Sequence, residues 1–451
     1  MSDPKNHLSR PKLGIRREDK HQWERRVPLT PAAVRTLVAE HGLAVVVQPS
    51  ELRIFPDEAY TTAGAMVSED LSDCATVFGV KEIPLDRFQR DRTYVFFSHV
   101  IKGQPYNMPM LRRLMELGCT LIDYERIVDE QGRRLVFFGR HAGLAGMIDT
   151  LWVLGRRLSS LNIENPFTDL RLSHHYPSFS EAQEAVSAIG RRIENEGLPE
   201  SIAPLIVGFT GYGNVSRGAQ EVYDLLPYES IDPSELETIL RRPRPRRDKV
   251  YKAVFHEEHL ARPRQTGQAF DLEEYYEHPE RYESAFVKIG PQLSVLVNCI
   301  YWSDKYPKLA TREQLKGWFA ADGGARLLAI GDISCDIDGA LESTVKSTTP
   351  GDPAYVYDPA TGEIRDGVEG PGVAVMATDT LPCELPREAS TSFTEALLPF
   401  AHRIAGATYE GSFDDTDLPP EIQRATVLWR GELTPDYAYL KEFTGRKDFT
   451  G

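Results

Sequence analysis

Four short strings in the first third of the sequence set ionisable side chains beside apolar, β-forming runs. They are WERRVPLTP around Arg26, FGVKEIP with Lys81 and Glu82, FFSHVIKGQ with His99 and Lys102, and LIDYERIV with Glu125. In open α/β sheets such strand ends line the ligand crevice. Each residue alone has an ordinary reading, as a surface lysine, a helix-flanking arginine or a loop histidine bonded to its neighbours. Their types also suit chemistry on a small charged molecule. A histidine titrates near neutrality and can move protons. A partly desolvated lysine can share that work, and an arginine fork suits a carboxylate.

A second constellation lies mid-chain, in LIVGFTGYGNVSRGAQEVYDLL. The order is strand, glycine turn, helix. Gly211 and Gly213 allow a tight turn and close approach of backbone to a pyrophosphate, with Asn214 and Val215 opening the helix whose N–H groups face the phosphates. Gly218 and Ala219 let that helix pack closely on the sheet. Ser216 stands where the third glycine of GxGxxG is expected, so the fingerprint is incomplete. Asp232, 21 residues beyond Gly211, lies where an acid for the ribose hydroxyls is expected. It favours NAD, whereas Arg241, Arg242, Arg244, Arg246, Arg247 and Lys249 follow closely and would suit the 2′-phosphate of NADP or form a solvated loop. NAD against NADP stays open.

The elements that must position these residues alternate. Lys12–Ile15 reads as a strand, and LTPAAVRTLVAEHG as a helix capped by Thr30, opened by Pro31 and ended by Gly42. LAVVVQP, ATVFGV, TYVFFSH and TLIDYE read as further strands. Residues 139–160 form a long apolar helix, 161–179 a polar linker, and a helix capped by Ser180 and Gln183 follows, burying Ala182, Val186, Ile189 and Ile193. SVLVNCIYW and RLLAIGDIS are strands, 343–370 an extended loop, and ELPREASTSFTEALLPFAHRIAG a helix. This alternation predicts α/β architecture: two Rossmann-like domains with parallel sheets and an interdomain active-site cleft. The expected boundaries are 1–139 plus 386–451 for a substrate domain and 140–385 for a dinucleotide domain.

Length and charge agree. A chain of 451 residues exceeds one ordinary core. Its 52 basic and 67 acidic residues give a net charge of −15, which opposes nucleic-acid and anionic-membrane partners. No run approaches the roughly 20 apolar residues of a membrane span, and the N-terminal string lacks a secretory signal's apolar core. Five scattered cysteines without CxxC pairing predict neither a zinc site nor a disulfide framework, and no His/Cys/carboxylate group has metal-ligand spacing. A cytoplasmic protein, monomeric or a small homo-oligomer, is expected.

Taken in order, WERRVPLTP, GVKEIP, FFSHVIKGQPYNMP, LIDYERIVDEQGRRL, FGRHAGLAGMID, GFTGYGNVSRGAQEVYDLLP, NCIYW, GDISCDIDGALEST and LPCELPREAS resemble the saccharopine dehydrogenase and alanine dehydrogenase superfamily. They are most similar to the lysine–ketoglutarate reductase half of the bifunctional aminoadipic semialdehyde synthases. The other half of those enzymes is expected to have no counterpart here. The resemblance implies an NAD(P)-dependent dehydrogenase with Lys81 and His99 as its acid–base pair. It implies that Arg26 binds a substrate carboxylate, that Glu82 and Glu125 tune charge, and that Lys102 lies near the substrate, with Arg133 or Arg134 as further carboxylate partners. Asp336, with Asp332 in the same GDISCD string, falls where the alanine dehydrogenases keep an aspartate near the nicotinamide. The implied substrates are L-lysine and 2-oxoglutarate, or saccharopine in reverse. An alanine dehydrogenase or another opine-type enzyme would use the same residues. A dinucleotide sensor without activity is a further alternative, which the presence of Lys81 and His99 disfavours.

Overall fold

A computed structural model of the protein describes residues 11–445. The chain divides into two compact units, Met1–Phe138 with Pro386–Gly451, and Gly139–Leu385. In chain order the strands are β1 (Lys12–Ile15), β2 (Ala44–Val47), β3 (Met66–Val67), β4 (Thr76–Phe78), β5 (Thr93–Phe96), β6 (Thr120–Asp123), β7 (Ile206–Thr210), β8 (Tyr228–Ile231) and β9 (Val250–Phe255). They continue as β10 (Ala261–Pro263), β11 (Tyr282–Ser284), β12 (Val295–Asn298), β13 (Ala329–Asp332), β14 (Ala354–Tyr357), β15 (Ile364–Asp366), β16 (Val373–Met376), β17 (Thr426–Trp429) and β18 (Glu432–Leu433).

The first unit is one eight-stranded sheet in the order β18-β17-β6-β5-β4-β1-β2-β3. Strands β1 to β6 pair in parallel. The chain builds β1 to β3 outward on one side and then β4 to β6 on the other. This makes β1 and β4 the switch point where doubly wound sheets open a crevice. Both faces are covered, so the strands are nearly continuous apolar runs. Val34 and Leu37 come from helix Pro31–Ala39, and Phe393 and Leu397 from helix Pro386–Gly406. Thr30 caps the first helix through Ala33 N at 3.4 Å, as its position predicts. The expectation of a purely parallel sheet is corrected at the β6 edge, where β17 and β18 add antiparallel. A short returning hairpin satisfies an edge that would otherwise expose unpaired backbone.

The second unit carries the order β15-β14-β16-β13-β12-β7-β9-β8. Its six strands from β8 to β16 in that order are parallel, with the switch point between β7 and β12. Residues alternate between two cores: Val207, Phe209, Val295 and Val297 on one face, Ile206, Tyr251, Leu296 and Ile330 on the other. Strands β14 and β15 form an antiparallel hairpin within the region expected to be an extended loop. The apolar run AYVY packs fully buried on β16, which the surrounding Pro, Gly and Asp obscure in sequence. Residues 161–179 likewise are not a free linker, since Phe167, Leu170 and Tyr176 are buried. The helix that follows runs Phe179–Glu196, and its cap is Ser178, which accepts from Glu181 N at 3.3 Å. Ser178 rather than Ser180 has the extended backbone a cap requires.

Candidate active site and dinucleotide turn

In the first unit the ionisable residues gather at the carboxyl ends of β1, β4, β5 and β6. Glu18, just after β1, organises the array. Its carboxylate accepts from Val80 N at 2.8 Å and Lys81 N at 3.0 Å, which fixes the loop that presents Lys81. Burial raises Glu18 to about 7, against the pull of Arg16. Gly79 lies against the Arg16 side chain, where an added Cβ would stand 3.1 Å from Cδ.

Glu82, the next residue after Lys81, joins His99 and Lys20. Its Oε1 lies 2.6 Å from His99 Nδ1 and its Oε2 accepts from Lys20 Nζ at 2.7 Å. Burial opposes its ionisation, but the His99 and Lys20 hydrogen bonds prevail and hold it near 2. His99 follows β5, paired in parallel with β4, and its φ of 50° is in the left-handed region that a non-glycine residue seldom occupies. Asn107 Nδ2 donates to its carbonyl at 3.2 Å. The preceding Ser98 donates from N and Oγ to Asp123, whose second oxygen accepts from Glu125 N at 2.8 Å. Strand ends β5 and β6 are thereby tied together, and burial lifts Asp123 to about 6.

Arg26, expected to bind a substrate carboxylate, lies buried beside Glu24. It is 3% exposed, stacked 4.1 Å over Phe138, and donates from Nε and Nη2 to Glu24 at 2.8 and 2.6 Å. That bidentate edge is occupied by Glu24. Helix Pro386–Gly406 fixes the loop, with Ser390 Oγ accepting from Val27 N at 3.0 Å and Thr394 Oγ1 from Thr30 N at 3.1 Å. Glu125 pairs with Arg134, and Arg133 with Asp129 at 2.7 Å. Lys102 is exposed on the loop after His99. Sequence reasoning missed Glu18, Lys20 and Glu24. Their signal was present in the string REDKHQWERR, directly after β1, but nothing in it told which loop each charge would meet.

In the second unit, Gly211 follows β7 with φ 82°, and its N–H donates to Phe255 O at 3.0 Å. A Cβ on Gly213 would meet no atom within 4 Å. This open backbone, ahead of the helix Asn214–Tyr223, fits a pyrophosphate held by main-chain N–H groups. Gly218 serves another contact than the expected sheet packing. A Cβ there would lie 2.1 Å from Arg140 O, so it admits the helix Gly139–Ser160. Ser216, in place of the third glycine, is fully buried and accepts from Gln220 Nε2 at 2.9 Å.

Two residues expected to hold the coenzyme have protein partners of their own. Asp332 is 1% exposed, and its oxygens take Asn298 Nδ2 at 2.8 Å, Thr344 Oγ1 at 2.5 Å and Cys335 N at 3.2 Å. It ties β12 to β13, and is enclosed rather than presented. Asp232 caps the turn Pro233–Glu235, accepting from Ser234 N at 2.9 Å, at the end of the outermost strand β8. Asp336 stands exposed four residues further along from Asp332.

Two doubly wound, mostly parallel sheets are the architecture of the alanine dehydrogenases, and the comparisons agree. Residues 14–145 match the family described as alanine dehydrogenase/PNT, N-terminal domain. A solved L-alanine dehydrogenase superposes with a TM-score of 0.60 at 19% identity, covering 96% of this chain and 100% of that one. A transhydrogenase from Sinorhizobium meliloti gives 0.55 at 14% identity, covering 94% of this chain and all of its own. In sequence, the chain is 38% identical over 95% of its length to an alpha-aminoadipic semialdehyde synthase of Arabidopsis thaliana, and 36% over 96% to the mitochondrial one of Mus musculus. It spans only 41% and 48% of those two proteins. A saccharopine dehydrogenase [NAD(+), L-lysine-forming] of Emericella nidulans is 26% identical, with 86% of this chain and 90% of that protein covered. The chain is a relative of the aminoadipic semialdehyde synthases and, at greater distance, of the saccharopine dehydrogenases, on the alanine dehydrogenase fold. Among the described residues no helix is long and apolar enough to cross a membrane.

Proposed function

We propose that the protein is a nicotinamide-dependent dehydrogenase acting on a CH–NH bond, joining L-lysine to 2-oxoglutarate as saccharopine or running the lysine-forming reverse. The reading rests on one array above all: His99 on Glu82, Glu82 on Lys20, and Lys81 fixed by Glu18 on the neighbouring strand end. It draws support from relatives named for saccharopine chemistry.

A bound coenzyme, held by the Gly211–Gly213 turn and the helix opened by Asn214 and Val215, supplies or accepts the hydride. The chain's residues handle protons and charge. The attacking amine must lose a proton and the carbinolamine must lose water, so a base and an acid are both needed. With Nδ1 on Glu82, His99 works through Nε2, and Lys81 is its partner. Glu82 and Lys20 hold the imidazole in one orientation through turnover. Lys102 supplies charge for a substrate carboxylate. The five free cysteines suit a reducing compartment such as the cytoplasm.

Initial rates with lysine and 2-oxoglutarate, followed by loss of reduced-nicotinamide absorbance with NADH and NADPH in parallel, test the reading. Turnover with one coenzyme is expected. Turnover of pyruvate and ammonia alone would move the protein to the alanine dehydrogenases, whose fold it shares.

A further inference from the structure

Strands β1 and β4 run side by side only as far as Ile15↔Phe78 and then part at the switch point. The last main-chain bond between them is Arg16 N to Phe78 O at 3.0 Å. One residue on, Gly79 N turns to the other neighbour and donates to Val95 O at 3.0 Å. Val80 N and Lys81 N come next. Val80 is fully buried, and a buried main-chain donor left without a partner is costly.

Glu18 supplies the partner. Three residues after β1 ends, its two oxygens take the two donors separately, Oε1 from Val80 N at 2.8 Å and Oε2 from Lys81 N at 3.0 Å. A side chain thus continues the pairing of β1 with β4 across a gap that the backbones no longer close. The packing leaves it little freedom: Glu18 is 8% exposed, and a Cβ on Gly79 would stand 3.5 Å from Oε1.

Both partners are donors, so both oxygens must accept, which only the ionised carboxylate does. A protonated oxygen turns an O–H toward one of the N–H groups. Arg16 and Glu24 face the carboxyl from its own loop and Tyr124 from the end of β6, while β4 meets it with main-chain N–H groups. Arg16 Nη1 favours the charge from 3.9 Å, but its Nη2 is engaged by Asp19 at 2.8 Å. Burial prevails, with Glu24 adding repulsion, and proton uptake by Glu18 falls at about 7.

We propose that Glu18 is a positioning residue of the reaction, whose ionised carboxylate holds the main chain of Lys81 in place and releases it on protonation, so that turnover fails on the acid side through Glu18. This rests on Lys81 acting with His99 as proposed above. The effect is exerted through the placement of Lys81, since a displacement of about 1 Å in a catalytic group lowers rate by about 10²-fold.

Amide hydrogen exchange of the wild-type protein, resolved residue by residue and corrected for the intrinsic rate, tests the clamp without substrate. Protection of the Val80 and Lys81 amides should fall about tenfold from pH 8 to pH 6, following the ionised fraction of Glu18, while that of Gly79, bonded to Val95 O, stays level. Kinetics then joins the clamp to turnover. Glu18→Gln keeps one acceptor and sets an amide N–H against the other donor. It should lower kcat about 10²-fold and lose the wild-type acid limb near 7, with the dissociation constant for NADH unchanged. Level protection at Val80 and Lys81 across that range overturns the proposal, as does a Glu18→Gln variant with wild-type turnover or an unaltered acid limb. Absence of wild-type turnover with lysine and 2-oxoglutarate overturns the proposed reaction, whereas the exchange experiment, which uses no substrate, still decides the clamp.

Discussion

His99 Nδ1 lies 2.6 Å from Glu82 Oε1, at the end of one parallel strand and opposite the loop of its neighbour. The contact spans two loops, and the left-handed backbone of His99 aims the ring into it. Backbone strain of this kind persists where the surroundings over-determine it, and it gathers at functional sites. His99→Gln and Lys81→Met should each lower turnover by about 10²- to 10⁴-fold, the range for lost general acid–base catalysis, while the dissociation constant for NADH stays close to that of the wild type. Full activity in both variants refutes the assignment.

The Glu24–Arg26 pair gives a stability prediction. Both side chains are almost fully enclosed, at 0% and 3% side-chain exposure. Glu24→Ala removes the bidentate partner of a buried guanidinium and should cost about 3–5 kcal/mol in urea unfolding. Double replacement by apolar residues of similar volume should recover most of that loss. An unchanged urea midpoint in Glu24→Ala would mean the guanidinium has another way to water.

A cluster in the second unit should make stability depend on pH. Ser173 Oγ donates to Glu384 at 2.5 Å and Ser173 N to Asp149 at 2.8 Å, with both carboxyls buried. Burial raises Glu384 to about 7 and lifts Asp149 well above the carboxylate range. The folded state therefore binds more protons than the unfolded one between the ordinary carboxyl value and about 7. Stability from Glu384 is fully present below about 4.5 and is lost as pH rises through 7. Glu82 has the opposite sign: held near 2, it contributes above about 4.5 and loses that contribution as pH falls toward 2. Thermal melts from pH 5 to 8 should flatten in Glu384→Gln. A wild-type slope retained in that variant would point to other groups.

Much of this architecture could be read from sequence. The strand at Lys12–Ile15, the Thr30 cap, the buried face of the helix through Ile193 and the glycine turn all follow from local rules of period, capping and φ. What escaped was non-local. That β9 rather than β8 pairs with β7 is a matter of strand order, which spacing alone does not encode. Likewise, nothing in the spacing says that Glu24 folds back upon Arg26. A charged residue's use is set by the loop that returns beside it, so its partner is the last thing a linear reading recovers.

Two glycines five residues apart, Gly213 and Gly218, should separate binding from folding. Gly213→Ala adds a methyl into open space and should leave the melting temperature nearly unchanged while weakening NADH, because the backbone can no longer approach a pyrophosphate closely. Gly218→Ala drives a methyl to within 2.1 Å of Arg140 O, which side-chain rotation cannot relieve, and should cost on the order of 1–3 kcal/mol. Calorimetry for the first and urea unfolding for the second provide the measurements. Matching behaviour in the two variants would contradict the different surroundings of the two positions.

The antiparallel strand β17 has a consequence for how the protein is made. It closes the β6 edge of a sheet whose parallel strands β1 to β6 were all synthesised about three hundred residues or more earlier. On the ribosome, the first unit must wait with that edge open while the whole of Gly139–Leu385 emerges. The inserted unit, contiguous in sequence, has every strand of its own sheet before β17 exists and can fold first. The β6 edge stays unpaired throughout that interval, and slowing translation anywhere between residues 123 and 426 should raise aggregation more than slowing it before residue 123.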